Sequence, residues 1–125
     1  MILNLSGNYL TDTGVKSLCQ GLALNKSLIS LNLSNNDIGS EGMKLLAKAL
    51  ESSQVQQLNL SRNPIKNKGA EVIGEIINKG NNNNLEVLNL TECEITHKGG
   101  IAIYKGLKKA GCLRILILDH NNLNA

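Results

Sequence analysis

Leu28-Ile29-Ser30-Leu31-Asn32-Leu33-Ser34-Asn35-Asn36-Asp37-Ile38 is the stretch on which the fold turns. Aliphatic residues alternate through Leu31 and Leu33, an Asn follows three residues later, and Ile38 closes the unit. The core of this block occurs five times: Leu3/Leu5/Asn8/Leu10, Leu31/Leu33/Asn36/Ile38, Leu58/Leu60/Asn63/Ile65, Leu88/Leu90/Cys93/Ile95 and Leu116/Leu118/Asn121/Leu123. Successive blocks start 28, 27, 30 and 28 residues apart. Self-similarity at such a period marks units that can bury their apolar face only against their neighbours.

A glycine stands four residues after the last aliphatic position in each of the first four blocks, at Gly14, Gly42, Gly69 and Gly99. Four and eight residues beyond it lie Leu18/Leu22, Leu46/Leu50, Ile73/Ile77 and Ile103/Leu107. Joined by Val15, Met43 and Ala70, and by the column of Cys19, Ala47, Gly74 and Tyr104, this spacing is the apolar stripe of an amphipathic helix. Each unit is therefore strand, then helix. Asp12, Ser40 and Asn67 stand two residues before their glycines, where a short polar side chain is expected to cap the first turn of its own helix, with Thr96 substituting for His97 in the fourth unit. The length variation falls after the helix and is largest at Lys79 to Asn84, a place for an irregular loop.

The full pattern L-x-x-L-x-L-x-x-(N/C)-x-L holds from Leu28, Val55, Leu85 and Leu113, with only Met1 ahead of the first copy. In this the chain resembles the leucine-rich repeat family, and its repeat length and helical second half are similar to the ribonuclease-inhibitor-like subclass. The resemblance covers essentially the whole chain. It implies one domain over residues 1–125, about four and a half repeats beginning near residues 1, 28, 55, 85 and 113. In this family the column of Asn8, Asn36, Asn63 and Asn121 is implied to turn inward and bond the backbone of adjacent turns.

Strand, helix, strand with short links requires a parallel sheet and right-handed crossovers. The strands alternate polar with apolar, as in Ser30-Leu31-Asn32-Leu33-Ser34, so one sheet face is open to water. Helices need roughly 10 Å between axes and strands about 4.8 Å. Helices confined to one side therefore bend the stack into an arc. The expected fold is an α/β right-handed solenoid with the parallel sheet on the concave face and helices on the convex face, and the concave face is where such arrays bind partners.

Composition narrows the function. With 42% hydrophobic residues, no Phe or Trp, and only Tyr9 and Tyr104, the core is built from Leu and Ile. A net charge of +3, from 13 basic and 10 acidic residues spread along the chain, is not the basic stripe with stacking aromatics that nucleic-acid binding needs. The densest basic group, Lys98, Lys105, Lys108, Lys109 and Arg114, reads first as a solvated convex surface and second as a contact for an acidic partner or membrane. No signal-peptide pattern opens the sequence and no apolar run approaches spanning length. The three scattered cysteines, Cys19, Cys93 and Cys112, read as free thiols suited to a reducing compartment. Asn4, Asn32, Asn59 and Asn89 each begin an Asn-x-Ser/Thr triplet on the concave strands, where glycans would block binding. Cytoplasmic residence is expected, or the host cytosol should the chain belong to a bacterial effector.

Catalysis is not expected. His97 and His120 lack a nucleophile with a partner acid, and neither metal-ligand spacing nor a phosphate-cradling glycine loop is present. No cofactor is expected either. The expected function is protein binding by the concave face. There the first three repeats present short Asn and Ser side chains, and departures gather toward the C-terminus. The candidate site is Arg62, Val87, Asn89, Glu92, Ile115, Ile117, Asp119 and His120. The resemblance implies alternatives: a regulator of a small GTPase, because ribonuclease-inhibitor-type repeats also form activators of Ran, or a sensor or effector repeat domain. The sequence starts and stops within repeat units, so a piece of a longer array is expected, as is self-association through the open ends.

Overall fold

A computed structural model describes residues 1–78 and 84–124. The elements alternate as the repeats require: β1 (Ile2–Asn4), α1 (Thr11–Leu22), β2 (Ser30–Asn32), α2 (Ser40–Leu50), β3 (Gln57–Asn59), α3 (Lys66–Asn78), β4 (Val87–Asn89), α4 (His97–Leu107) and β5 (Ile115–Ile117). Most of the expected variable loop, residues 79–83, lies outside the described residues. The five strands pair in parallel in sequence order, each Leu opposite its counterpart: Leu3 with Leu31, Leu31 with Leu58, Leu58 with Leu88 and Leu88 with Leu116. Only three residues per strand are regular, because the backbone must turn toward its helix. The ladder nevertheless runs on into the turns, where Leu33 N–H donates to Asn59 O (2.8 Å) and Asn35 N–H to Ser61 O (2.9 Å).

The core lies between sheet and helices in aliphatic layers. Leu31, Leu33 and Ile38 of the second repeat, and their equivalents Leu58, Leu60 and Ile65, meet Met43, Leu46, Ala70 and Ile73 from the helices, all buried. Leu3, Leu5, Leu116 and Leu118 in the first and last repeats are only partly buried. Cys19, expected inward, is half-buried, and Leu107 at the end of the helical stripe is exposed.

The glycine column follows from the closeness of this stack. A Cβ at Gly99 would stand 2.6 Å from Asn67 Oδ1 and 2.8 Å from Ile95 Cγ2, and one at Gly42 would collide with Asp12 Oδ1. These same contacts correct the capping expectation. Asp12 and Asn67 do not cap their own helices; α1, α2 and α4 have no side-chain cap at their N-cap residues. Instead each reaches across to the next repeat. Asp12 Oδ1 accepts the Gly39 N–H (2.8 Å), and Asn67 Oδ1 accepts the N–H groups of Thr96 (2.9 Å) and Gly99 (3.1 Å). A side chain one step inside a helix lies beside the start of the neighbouring helix, and the orphan amides there are equally in need of an acceptor.

The inward Asn column forms a second inter-repeat ladder, except at Asn8, which is exposed in the first repeat and donates within its own turn, to Leu5 O (2.8 Å) and Ser6 O (3.2 Å). Asn63 Oδ1 accepts from Asn36 N–H (2.9 Å) and Ile38 N–H (3.0 Å), while its Nδ2 donates to Leu33 O (3.0 Å) and Leu60 O (2.9 Å). Asn36 does the same toward Asn8 and Leu10, and Asn121 toward Cys93 and Ile95. Cys93 interrupts the series, its thiol donating to Leu60 O at 3.2 Å. The Ile65 N–H that an Asn at position 93 would have accepted bonds to Asn63 O (2.8 Å) within its own turn, which contains Pro64.

Candidate functional site

Val87, Asn89, Ile115 and Ile117 lie side by side on β4 and β5, with Val87 opposite Ile115 and Asn89 opposite Ile117. Alternation along a strand sends Leu88 and Leu116 inward and these residues to the open sheet face. Ile115 is 52% exposed. Val87, Ile115 and Ile117 therefore form a small aliphatic surface in water, where β2 and β3 present Ser30, Asn32, Gln57 and Asn59.

The polar rims of this surface are ion-paired. On one side, Arg62 Nε stands 3.6 Å from Glu92 Oε2; on the other, Arg114 Nη1 stands 4.0 Å from Glu86 Oε1. Strand alternation does not mark the Glu86 and Arg114 pair, because both residues precede the strands. Asp119 and His120, both exposed, complete the first rim. Among the described residues the Asp119 carboxylate has no ion pair.

Two residues have a structural share in the turn. Asn89 Oδ1 accepts from Thr91 N–H (3.0 Å) and Thr91 Oγ1 (2.6 Å), and Asn4, Asn32 and Asn59 make the same bond to Ser6, Ser34 and Ser61. The Asn-x-Ser/Thr triplets are thus Asx turns that end the strands. Ile117 and Asp119 replace this device in the last repeat. Arg62 (φ 58°), Glu92 (φ 52°) and His120 (φ 58°) occupy the left-handed position that the first two repeats give to Gly7 and Asn35.

All three cysteines are free. Burial pushes the Cys19 thiol up from 9.0 to about 11. Burial likewise lifts Cys93 to about 11; the Asn63 and Arg62 backbone amides pull it down and Glu94 and Glu92 push it up. A folded state that holds these protons more tightly than the unfolded chain is stabilised fully below pH 9 and loses that stabilisation as pH rises toward 11. The urea midpoint should therefore fall across this window, and fall less in Cys93→Ala; identical pH profiles for the two proteins would contradict the assignment. Among the described residues no cluster of His, Cys, Asp or Glu could hold a metal ion, and no helix is long and apolar enough to cross a membrane.

A family model described as "Leucine Rich repeat" matches residues 1–19, 24–47, 52–74 and 81–103. Over 123 residues the chain is 35% identical to human NACHT, LRR and PYD domains-containing protein 13, covering 97% of this chain and 12% of that protein. It is 39% identical over 75 residues to mouse ribonuclease inhibitor, covering 58% of this chain and 16% of the inhibitor. It is 27% identical over 123 residues to RAN GTPase-activating protein 2 of Arabidopsis thaliana, covering 97% and 22% respectively. The chain thus spans between 12% and 22% of the length of these relatives.

Proposed function

The chain belongs to the leucine-rich repeat family, in its ribonuclease-inhibitor-like form, and from that premise we propose that it is a non-catalytic, cytoplasmic protein-binding module. Its contact is the C-terminal half of the concave sheet: Val87, Ile115 and Ile117 at the centre, with Asn89, Arg62, Glu92, Asp119 and His120 around them. The observation that carries this reading is the half-exposed Ile115 beside Val87 and Ile117, within charged rims. An apolar centre with a polar rim is the anatomy of a protein interface.

Affinity capture with variants tests the reading. Arg62→Ala with Asp119→Ala is expected to reduce partner recovery about tenfold, roughly 1.4 kcal/mol. Lys44→Ala with Lys48→Ala on the convex α2 is expected to leave it unchanged. Each of the four changes is a surface substitution that should move stability by no more than about 0.5 kcal/mol. Equal loss from both pairs, or loss from the convex pair alone, moves the site off the sheet.

The similarity to RAN GTPase-activating protein 2 supports a second reading, regulation of a small GTPase. It requires the chain to accelerate GTP hydrolysis by a small GTPase in a panel. Unchanged hydrolysis with every member rejects it.

A further inference from the structure

The Asx turns use only one end of each concave asparagine. Ser34 N–H donates to Asn32 Oδ1 (2.9 Å), Ser61 N–H to Asn59 Oδ1 (2.9 Å) and Thr91 N–H to Asn89 Oδ1 (3.0 Å). A backbone N–H can only donate, so it fixes the carbonyl end of each amide at the turn and leaves the Nδ2 end outside it. Among the described residues none of these three Nδ2 groups has an acceptor. The amides are half-buried and stand in register on β2, β3 and β4, Asn32 opposite Asn59 and Asn59 opposite Asn89. They form a row of donors about 4.8 Å apart, the spacing of neighbouring strands. Each of the three strands is paired on both sides, so the row belongs to the interior of the sheet. The turn itself needs only the oxygen, which Asp supplies as well as Asn. What Asn adds is the donor.

We propose that this row receives an acidic side chain of the protein partner, one carboxylate spanning Asn32 and Asn59. The proposal rests on the reading that a partner meets the concave sheet, and it adds the chemistry recognised there. An ionised carboxylate is an acceptor only, and its two oxygens can take two donors at once. A hydrogen bond to it is roughly twice as strong as one to a neutral acceptor. Main-chain carbonyls fit the row less well. In an extended segment crossing the strands, those on one edge recur every second residue, about 6.6 Å, and fall out of step with amides about 4.8 Å apart. The surroundings admit a negative charge. The outward residues of β2 and β3, Ser30, Asn32, Gln57 and Asn59, are uncharged, and Glu86 and Glu92, before and after β4, are each paired with an arginine. From the Asn32 and Asn59 pair to Val87 and Ile115 is two strands, roughly 10 Å, or about three residues of extended chain. The recognised segment therefore carries an acidic residue about three places from an aliphatic one.

Asn59→Asp separates the two ends of the amide: it keeps an oxygen for the Ser61 N–H and replaces the donors by a charge that repels a carboxylate. A displayed library of random peptides is selected on the 125-residue chain, and binders are re-measured on Asn59→Asp, whose circular dichroism melt should match that of the parent. Lys44→Glu, a larger change of net charge on the convex side, controls for unspecific attraction. The expected result is a consensus of Asp or Glu about three places from an aliphatic residue, with affinity about tenfold lower on Asn59→Asp and unchanged on Lys44→Glu. A second selection, on Asn59→Asp itself, should put Lys or Arg in place of the acid. If the melt of Asn59→Asp is lowered, Asn32→Asp, at the other half of the pair, carries the same comparison. No enrichment, enriched peptides that bind the parent and the Asp variant alike, or an equal loss on Lys44→Glu overturns the proposal. Peptides without an acidic residue that crosslink from a photoreactive side chain at position 115 overturn it and leave the concave site standing. Peptides that crosslink only from position 44 overturn both.

Discussion

Leu60→Asp is expected to abolish the folded state. Leu60 is fully buried in the central repeat, and its carbonyl already accepts from Asn63 Nδ2 and the Cys93 thiol. The apolar layer offers an ionised carboxylate there no cation, and an unpaired buried charge costs several kcal/mol. That is comparable with the whole folding free energy of a small domain, about 5–15 kcal/mol. A repeat contacts only its neighbours, so loss of the central unit also separates the two ends of the array. The far-UV circular dichroism melt should lose its cooperative transition. A melt superimposable on that of the parent would refute the strand-and-helix register.

Asn63→Ala is expected to be the most damaging substitution of a polar residue. The amide is 1% exposed and satisfies the N–H groups of Asn36 and Ile38 together with the carbonyls of Leu33 and Leu60. Leu33 O keeps the Asn36 amide and Leu60 O the Cys93 thiol, so the N–H groups of Asn36 and Ile38 are the ones left without a partner; at about 1–3 kcal/mol for each, the loss is a large share of the roughly 5–15 kcal/mol stability of a domain. Asn89→Ala is the control. That residue also bonds backbone, but only to Thr91 at a partly open turn, and its loss should stay near 1 kcal/mol. Equal melting midpoints for the two variants would show that the inter-repeat ladder does not hold the stack together.

The fold was legible because each of its determinants is local and repeated. The spacing of Leu31, Leu33 and Ile38, and the stripe from Gly42 through Leu46 to Leu50, each encode one face of one element, and repetition fixes the neighbours. The capping residues were misread for the opposite reason. Asp12 and Asn67 satisfy amides some thirty residues away, and no local pattern distinguishes a cap for one's own helix from a cap for the next. Of the candidate site, the placement of Val87, Ile115 and Ile117 together on the sheet followed from strand alternation alone. The pairing of Arg62 with Glu92 and of Arg114 with Glu86, and the left-handed backbone at Arg62, Glu92 and His120, depend on side-chain and turn geometry that alternation does not specify. The Asn-x-Ser/Thr triplets carried a turn signal as well, since the Asn amide closes on the residue two places on.

Whether a partner protein meets the concave sheet at β4 and β5 is read directly by site-specific photo-crosslinking, with a photoreactive side chain placed at Ile115 in one protein and at Lys44 in another. The captured partner is expected to crosslink from position 115 and not from position 44. Crosslinking from position 44 alone, or equally from both, would contradict it.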